Sequence, residues 1–173
     1  MPGDMMNRRC LFSVAGASVL WGCATDPKYL ASPQARLEPP PVPVRPLNSK
    51  RQDIVMHAMA MLDRGYTYGG KKLHTGFDCS GLVSFVYRES AGIVIKGSAA
   101  DMARVSRLVQ AEQASPGDLV FFNTLGSPFS HVGIYVGSDK FIHAANEKTG
   151  VTAEQLSRPY WARRFQGYRT VLA

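Results

Sequence analysis

The run Gly76-Phe77-Asp78-Cys79-Ser80-Gly81 sets a thiol directly before Leu82-Val83-Ser84-Phe85-Val86-Tyr87-Arg88-Glu89. Leu82, Phe85, Val86 and Glu89 recur at helical spacing, so Cys79 and Ser80 stand where a helix begins. There the unpaired backbone N–H groups and the helix dipole favour a thiolate, and the same N–H groups can receive the oxygen of an attacked carbonyl. The competing reading of Cys79 is a small apolar side chain packed under the helix, as most free cysteines are.

Two histidines supply the rest of a nucleophilic site. His131 opens the β-rich run to Val136, and His143 sits in the run from Lys140 to Ala144. Gly137-Ser138-Asp139 between them reads as a hairpin loop. On adjacent antiparallel strands the two imidazoles can lie near one another, and the register decides whether both face the cysteine helix. Cys79 would then attack a carbonyl, His131 would take the thiol proton and return it to the leaving amine, and His143 would hold the imidazole in the right tautomer. A histidine at a strand start is otherwise a surface or capping residue, and two histidines with a cysteine could hold zinc. Zinc is disfavoured because no second cysteine lies near Cys79.

The elements that must position these groups follow from pattern. Asp53–Arg64 reads as a helix closed by Gly65, and Tyr66-Thr67-Tyr68-Gly69-Gly70 as a turn bringing the chain back toward Cys79. Ser98–Leu108 reads as a second helix with Ser98 as its cap. After the turn Ser115-Pro116-Gly117-Asp118, Leu119–Phe122 opens a strand meander, with shorter strands at Val151–Ala153 and Tyr168–Val171. Helices first and strands afterwards predict an α+β fold. No internal repeat is present.

The N-terminus reads as an address. Arg8 and Arg9 precede an apolar run from Cys10 to Leu20, as in a signal peptide and too short for a stable membrane span. Leu20-Trp21-Gly22-Cys23 resembles a lipobox, with Cys23 the residue that would be lipidated and Trp21 bulkier than usual. Ala24 after Cys23 would send such a lipoprotein to the outer membrane of a Gram-negative cell; ordinary cleavage near Ala24 would leave a soluble periplasmic or secreted protein. Asp26–Leu47 carries seven prolines without hydrophobic periodicity and reads as an extended tether. The expected organisation is signal peptide 1–22, tether 23–47 and catalytic domain 48–173.

With 173 residues the chain has room for one ordinary domain, and its net charge is +7. Removing residues 1–22 takes away Arg8, Arg9 and Asp4 and leaves +6, a balance that suits polyanionic surroundings. Nucleic acid is the weaker partner, since the basic residues are scattered and no presenting motif exists. If Cys10 is removed and Cys23 acylated, Cys79 is the only thiol left in an exported protein, which favours a reactive role over a structural one.

Tyr66–Gly70, Gly76–Val83, Pro116–Phe122, His131–Gly137 and Phe141–Ala144 occur in the order seen in NlpC/P60 cell-wall peptidases, which the chain resembles from about Ile54 to Val171. Pro159–Phe165 and the leader are most similar to its murein endopeptidase lipoproteins. The resemblance implies a papain-like α+β fold with Cys79, His131 and His143 as the triad. It also implies that Tyr66 hydrogen-bonds near the nucleophile and oxyanion, and that Asp78 and Ser80 help bind the stem peptide. From the residues alone, Tyr66 reads as core and Asp78 as a capping carboxylate. Where relatives often carry Leu-Pro-Arg-Thr-Ser, this chain has Val94-Ile95-Lys96-Gly97-Ser98, a change expected at the cleft rim that leaves the choice of bond open.

The expected protein is therefore an exported, lipid-anchored cysteine endopeptidase acting on peptidoglycan. It would cut either the D-Ala to diaminopimelate or the γ-D-Glu to diaminopimelate bond, with no metal or cofactor. A CHAP-type amidase and a catalytically silent wall-binding lipoprotein are the alternatives. No protein regulator is legible in the sequence.

Overall fold

The structure is a computed structural model and describes residues 49–172. The expected signal peptide, Cys10, the lipidation site Cys23 and the proline-rich tether lie outside the described residues.

Among the described residues three helices precede the main sheet: α1 (Ser49–Ala60), α2 (Cys79–Ala91) and α3 (Ala99–Val105). A small hairpin of β1 (Lys71–Lys72) and β2 (Gly76–Phe77) leads into α2. Asp78 caps α2, and Gly92 ends it in the left-handed conformation at φ 67°, where Gly92 N–H donates to Arg88 O and Ile93 N–H to Tyr87 O. That pairing satisfies the last carbonyls of the helix. Helix α1 begins four residues before the expected Asp53 and ends at Ala60. Its exit is made by Asp63, with φ 64°, and not by Gly65.

Helix α3 starts after Ser98 as expected, with a capping box in which Ser98 and Asp101 satisfy each other's backbone N–H. It stops at Val105, three residues short of the expectation. Arg107–Val109 is instead strand β3, pairing antiparallel with β8 (Phe165–Thr170). The segment is too short for its pattern to reveal strand character, and its pairing partner lies some sixty residues away.

The sheet has the order β3-β8-β4-β5-β6-β7, with β4 (Leu119–Phe122), β5 (His131–Gly137), β6 (Lys140–Asn146) and β7 (Gly150–Gln155) forming the expected meander. Strand β8 breaks it by returning beside β4. Ser138 and Asp139, at φ 49° and 64°, make the two-residue β5–β6 turn with both central residues left-handed. The Asp139 carboxylate accepts hydrogen bonds from the Ser157 N–H and hydroxyl, which ties this turn to the chain after β7.

Side chains alternate across the sheet. Leu119, Phe121, Val132, Ile134, Ile142, Ala144 and Val151 pack with Ile54 and Ala58 of α1 and with Leu82, Val83 and Val86 of α2. Val120, Phe122 and Phe141 face the other way, onto Leu156 and Trp161. Trp161 belongs to a short helix, α4 (Pro159–Ala162), that the sequence pattern did not reveal. All four residues of β4 are buried because both its faces are covered. The Ser115–Asp118 turn locks helices to sheet. Asp118, 1% exposed, accepts from Arg51 of α1 at 2.8 Å and from the Ser115 N–H at 2.9 Å, while the buried Tyr87 hydroxyl of α2 donates to Gly117 O. Every polar atom named there has a partner, as burial requires.

Candidate active site

Cys79 is the first residue of α2, and close backbone packing holds it there. The Asp78 N–H donates to Gly70 O at 3.0 Å, and Asp78 Oδ1 accepts from the Gly81 N–H at 2.6 Å and the Ser80 hydroxyl at 2.9 Å. A Cβ on Gly81 would stand 1.9 Å from Gly70 O, and one on Gly70 would stand 2.5 Å from Gly76 O. These glycines let the turn before α2 lie directly on the helix start. Asp78 is thus the capping carboxylate, and the buried Ser80 hydroxyl is spent on it.

The backbone N–H groups of Cys79 and Ser80, and of Val132 in β5, all act to lower the Cys79 pKa. The helix start therefore pulls in the expected direction. Burial pulls harder, and the thiol pKa ends above its ordinary value. Tyr66 is half-buried and bridges to Phe77; burial and then the negative charges of Cys79 and Asp78 push its phenol up, so it shares the nucleophile's field.

The histidines meet on the sheet. Ile134 faces Ile142, so counting back along β5 puts Gly133 opposite His143, with His131 on the same face. His131 Nε2 and His143 Nδ1 are 2.8 Å apart, their rings nearly perpendicular. The shared face is the one that Trp161 covers, not the one that carries the body of α2. What links the thiol to this strand is backbone: the Val132 N–H directed at Cys79 belongs to the residue next to His131.

Gly133 and the aromatic residues are what sequence reasoning missed. A Cβ at Gly133 would sit 2.7 Å from Phe141 Cδ2 and 3.3 Å from His143 Cβ, so the bare position makes room for the imidazole pair. A glycine inside a strand was the available signal, since it marks a close approach. Trp161 stacks on His131 at 5.6 Å and 25°, and meets His143 edge-on at 4.8 Å; Phe141 lies 4.9 Å from His143. Together they leave His131 9% and His143 1% exposed. Burial lowers the His131 pKa to about 4, and burial with the neighbouring His131 lowers that of His143 to about 2. Both rings are neutral at pH 7.

Because His131 Nε2 is engaged, Nδ1 is the nitrogen left for the thiol proton. It is bare only if His131 donates its Nε2 proton to His143 Nδ1, which places the His143 proton on Nε2. A polarisable thiol at a helix start beside a neutral imidazole with a bare nitrogen suits acyl transfer through a thioester. Among the described residues no three His, Cys, Asp or Glu side chains form a metal-holding group. The Val94–Gly97 run lines a separate pocket of about 240 Å³ with Lys71, Ser84 and Arg88; none of the three candidate catalytic residues lines it.

The family described as NlpC/P60 matches residues 63–170. Murein DD-endopeptidase MepH of Escherichia coli is 38% identical over 66% of this chain and 43% of its own length. Murein DD-endopeptidase MepS/Murein LD-carboxypeptidase of the same organism is 36% identical over 62% and 56%, and gamma-DL-glutamyl hydrolase of Bacillus subtilis 38% identical over 67% and 28%. The matches thus span from about a quarter to just over half of these relatives. Among solved structures, a lipoprotein-like NLP/P60 family protein of Staphylococcus aureus aligns with TM-score 0.64 and 31% identity, covering 84% of this chain and 46% of its own. A Bacillus cereus NlpC/P60 family protein aligns with TM-score 0.66 and 27% identity, covering 71% and 40%.

Proposed function

This chain belongs to the NlpC/P60 family, and from that premise we propose that it is a cysteine endopeptidase hydrolysing amide bonds in peptidoglycan stem peptides or their cross-links. The observation that carries the reading is the 2.8 Å contact between His131 Nε2 and His143 Nδ1 at the strand end where the Val132 N–H is directed at Cys79. Relatives named for murein DD-endopeptidase and γ-glutamyl hydrolase activity support the substrate class.

In the proposed cycle, His131 Nδ1 takes the proton from Cys79 as sulfur attacks the carbonyl carbon. The oxyanion is met by N–H groups of the α2 start and by the Tyr66 hydroxyl. His131 returns the proton to the leaving amine, giving a thioester and a free amino end; water, deprotonated by the same nitrogen, releases the acid and restores the thiol. A neutral starting pair means that the proton moves during attack. Asp78 and Ser80, as substrate contacts, would act through atoms not already spent on the cap.

The proposal extends to the cell envelope: an exported protein, anchored at Cys23 to the outer membrane and held to murein through the tether. The lipobox-like Leu20–Cys23 and the apolar run before it support that placement.

Digestion of purified peptidoglycan by this chain beside its Cys79→Ala variant, with muropeptides identified by mass, tests the reading. Cross-linked dimers should vanish, or stems should be cut after γ-D-Glu, only with the native cysteine. Identical profiles from two folded proteins would refute it.

A further inference from the structure

Nε2 of His143 is a buried polar atom without a hydrogen-bond partner. It belongs to a residue 1% exposed, where an unpaired polar atom is costly to keep. The tautomer that leaves His131 Nδ1 bare puts a proton on this very atom, so the productive state needs an acceptor behind His143.

His143 is among the residues lining a cavity of about 460 Å³, with Thr152, Glu154, Arg158 and Trp161. Neither Cys79 nor His131 lines it, so it stands apart from the reacting atoms. The β6–β7 register sets Thr152 directly across from His143 and Glu154 across from Phe141. Thr152, Glu154 and His143 therefore share a face, with Glu154 diagonal to His143. Such diagonal neighbours are about 7–8 Å apart, within reach of a long side chain. Arg158 holds Glu154 Oε2 at 2.6 Å, which leaves Oε1 for the cavity. Glu154 is 23% exposed there. A water beside His143 Nε2, Thr152 Oγ1 and Glu154 Oε1 would have the two to four polar partners that a buried water needs.

We propose that Glu154, with Thr152, is a positioning residue that closes the outer end of the Cys79–His131–His143 chain by accepting a hydrogen bond from the His143 Nε2–H, directly or through one water in this cavity. The inference rests on the proposed role of Cys79. No proton leaves His143: its Nε2–H donates outward, its Nδ1 accepts the His131 Nε2–H, and His131 Nδ1 stays open to the thiol. The ionisable groups around His143 are His131 from β5, Glu154 from β7, and Arg158 and Tyr160 from the α4 segment. Glu154 is the carboxylate among them, and so the natural acceptor.

The test uses the whole chain, with alkylation of Cys79 by iodoacetamide at pH 7 followed by peptide mass, and histidine tautomers read by nitrogen NMR. In the wild type both histidines should carry their protons on Nε2. Glu154→Ala should slow alkylation about tenfold, as loss of an outer hydrogen-bond partner does at other sites, and should remove the His143 Nε2–H preference. Glu154→Gln, which keeps an acceptor oxygen, should recover most of the rate, and Arg158→Ala should stay within about twofold of wild type. A wild-type His143 protonated on Nδ1, or unchanged rate and tautomer in Glu154→Ala, would overturn the proposal. So would an equal loss in Arg158→Ala, which would assign the effect to the ion pair's hold on α4. Neither readout uses peptidoglycan, so absence of murein cleavage would sink the proposed substrate and leave these measurements to decide the role of Glu154.

Discussion

Replacing Gly133 by alanine probes the construction of the site at one atom. Its backbone lies outside the left-handed region, so alanine is conformationally acceptable and only space decides. The new Cβ would lie 2.7 Å from Phe141 Cδ2, 3.0 Å from Ile142 O and 3.3 Å from His143 Cβ. Carbon contacts are comfortable at about 3.5–4.0 Å, so β6 or the Phe141 ring must move by roughly 1 Å. The ring has nowhere to go: it is fully buried, 4.9 Å from Phe122 and from His143 and 5.1 Å from Trp161. Overpacking of this kind costs about 1–3 kcal/mol, or a fall in Tm of about 4 °C for each kcal/mol. A displacement of about 1 Å at the imidazole pair should cost about a hundredfold in turnover. Scanning calorimetry and muropeptide release, beside Gly65→Ala as control, measure both. Nothing lies within 4 Å of a Cβ at Gly65, and its φ is not left-handed; that variant should stay within about 0.5 kcal/mol of wild type. Wild-type Tm and turnover in Gly133→Ala would refute the argument that an empty position spaces the two histidines.

Two further outcomes follow from the same geometry. Burial holds His131 and His143 neutral in the fold, so as pH falls the unfolded chain takes up their protons first. The stability this confers is complete above about pH 6.5 and is lost as pH falls toward 4, about 3 kcal/mol for His131 alone; urea midpoints at pH 7.5 and 4.5 should show the loss, and a His131→Gln, His143→Gln double variant with the same acid sensitivity would contradict it. Gly81→Ala would drive a Cβ to 1.9 Å from the Gly70 carbonyl, backbone against backbone, and should destabilise by about 3 kcal/mol or more; a thermal midpoint within 2 °C of wild type would show that α2 does not seat on that carbonyl.

What the sequence determined by itself is what local rules govern. Asp78, three residues before Gly81, marks a helix start because an N-cap reads only the next turn, and Ser98 with Asp101 does the same for α3. Ser138-Asp139 closes the hairpin because two residues suffice to reverse a strand. Which face His143 takes was not local: only the register shift between Tyr135 and Gly137 puts it on the same face as His131, where strict alternation from this turn would have set them on opposite faces. The tertiary structure decided everything that depends on distant partners. Arg107–Val109 is a strand only because β8 comes back to it. Trp161 becomes the cover of the imidazole pair only once α4 folds over the sheet, and that burial holds both rings neutral. The Cys79 thiol shows the division most plainly: the helix start favours its anion, a local effect of the first N–H groups, whereas desolvation by surroundings gathered from across the chain outweighs it and keeps the proton on sulfur.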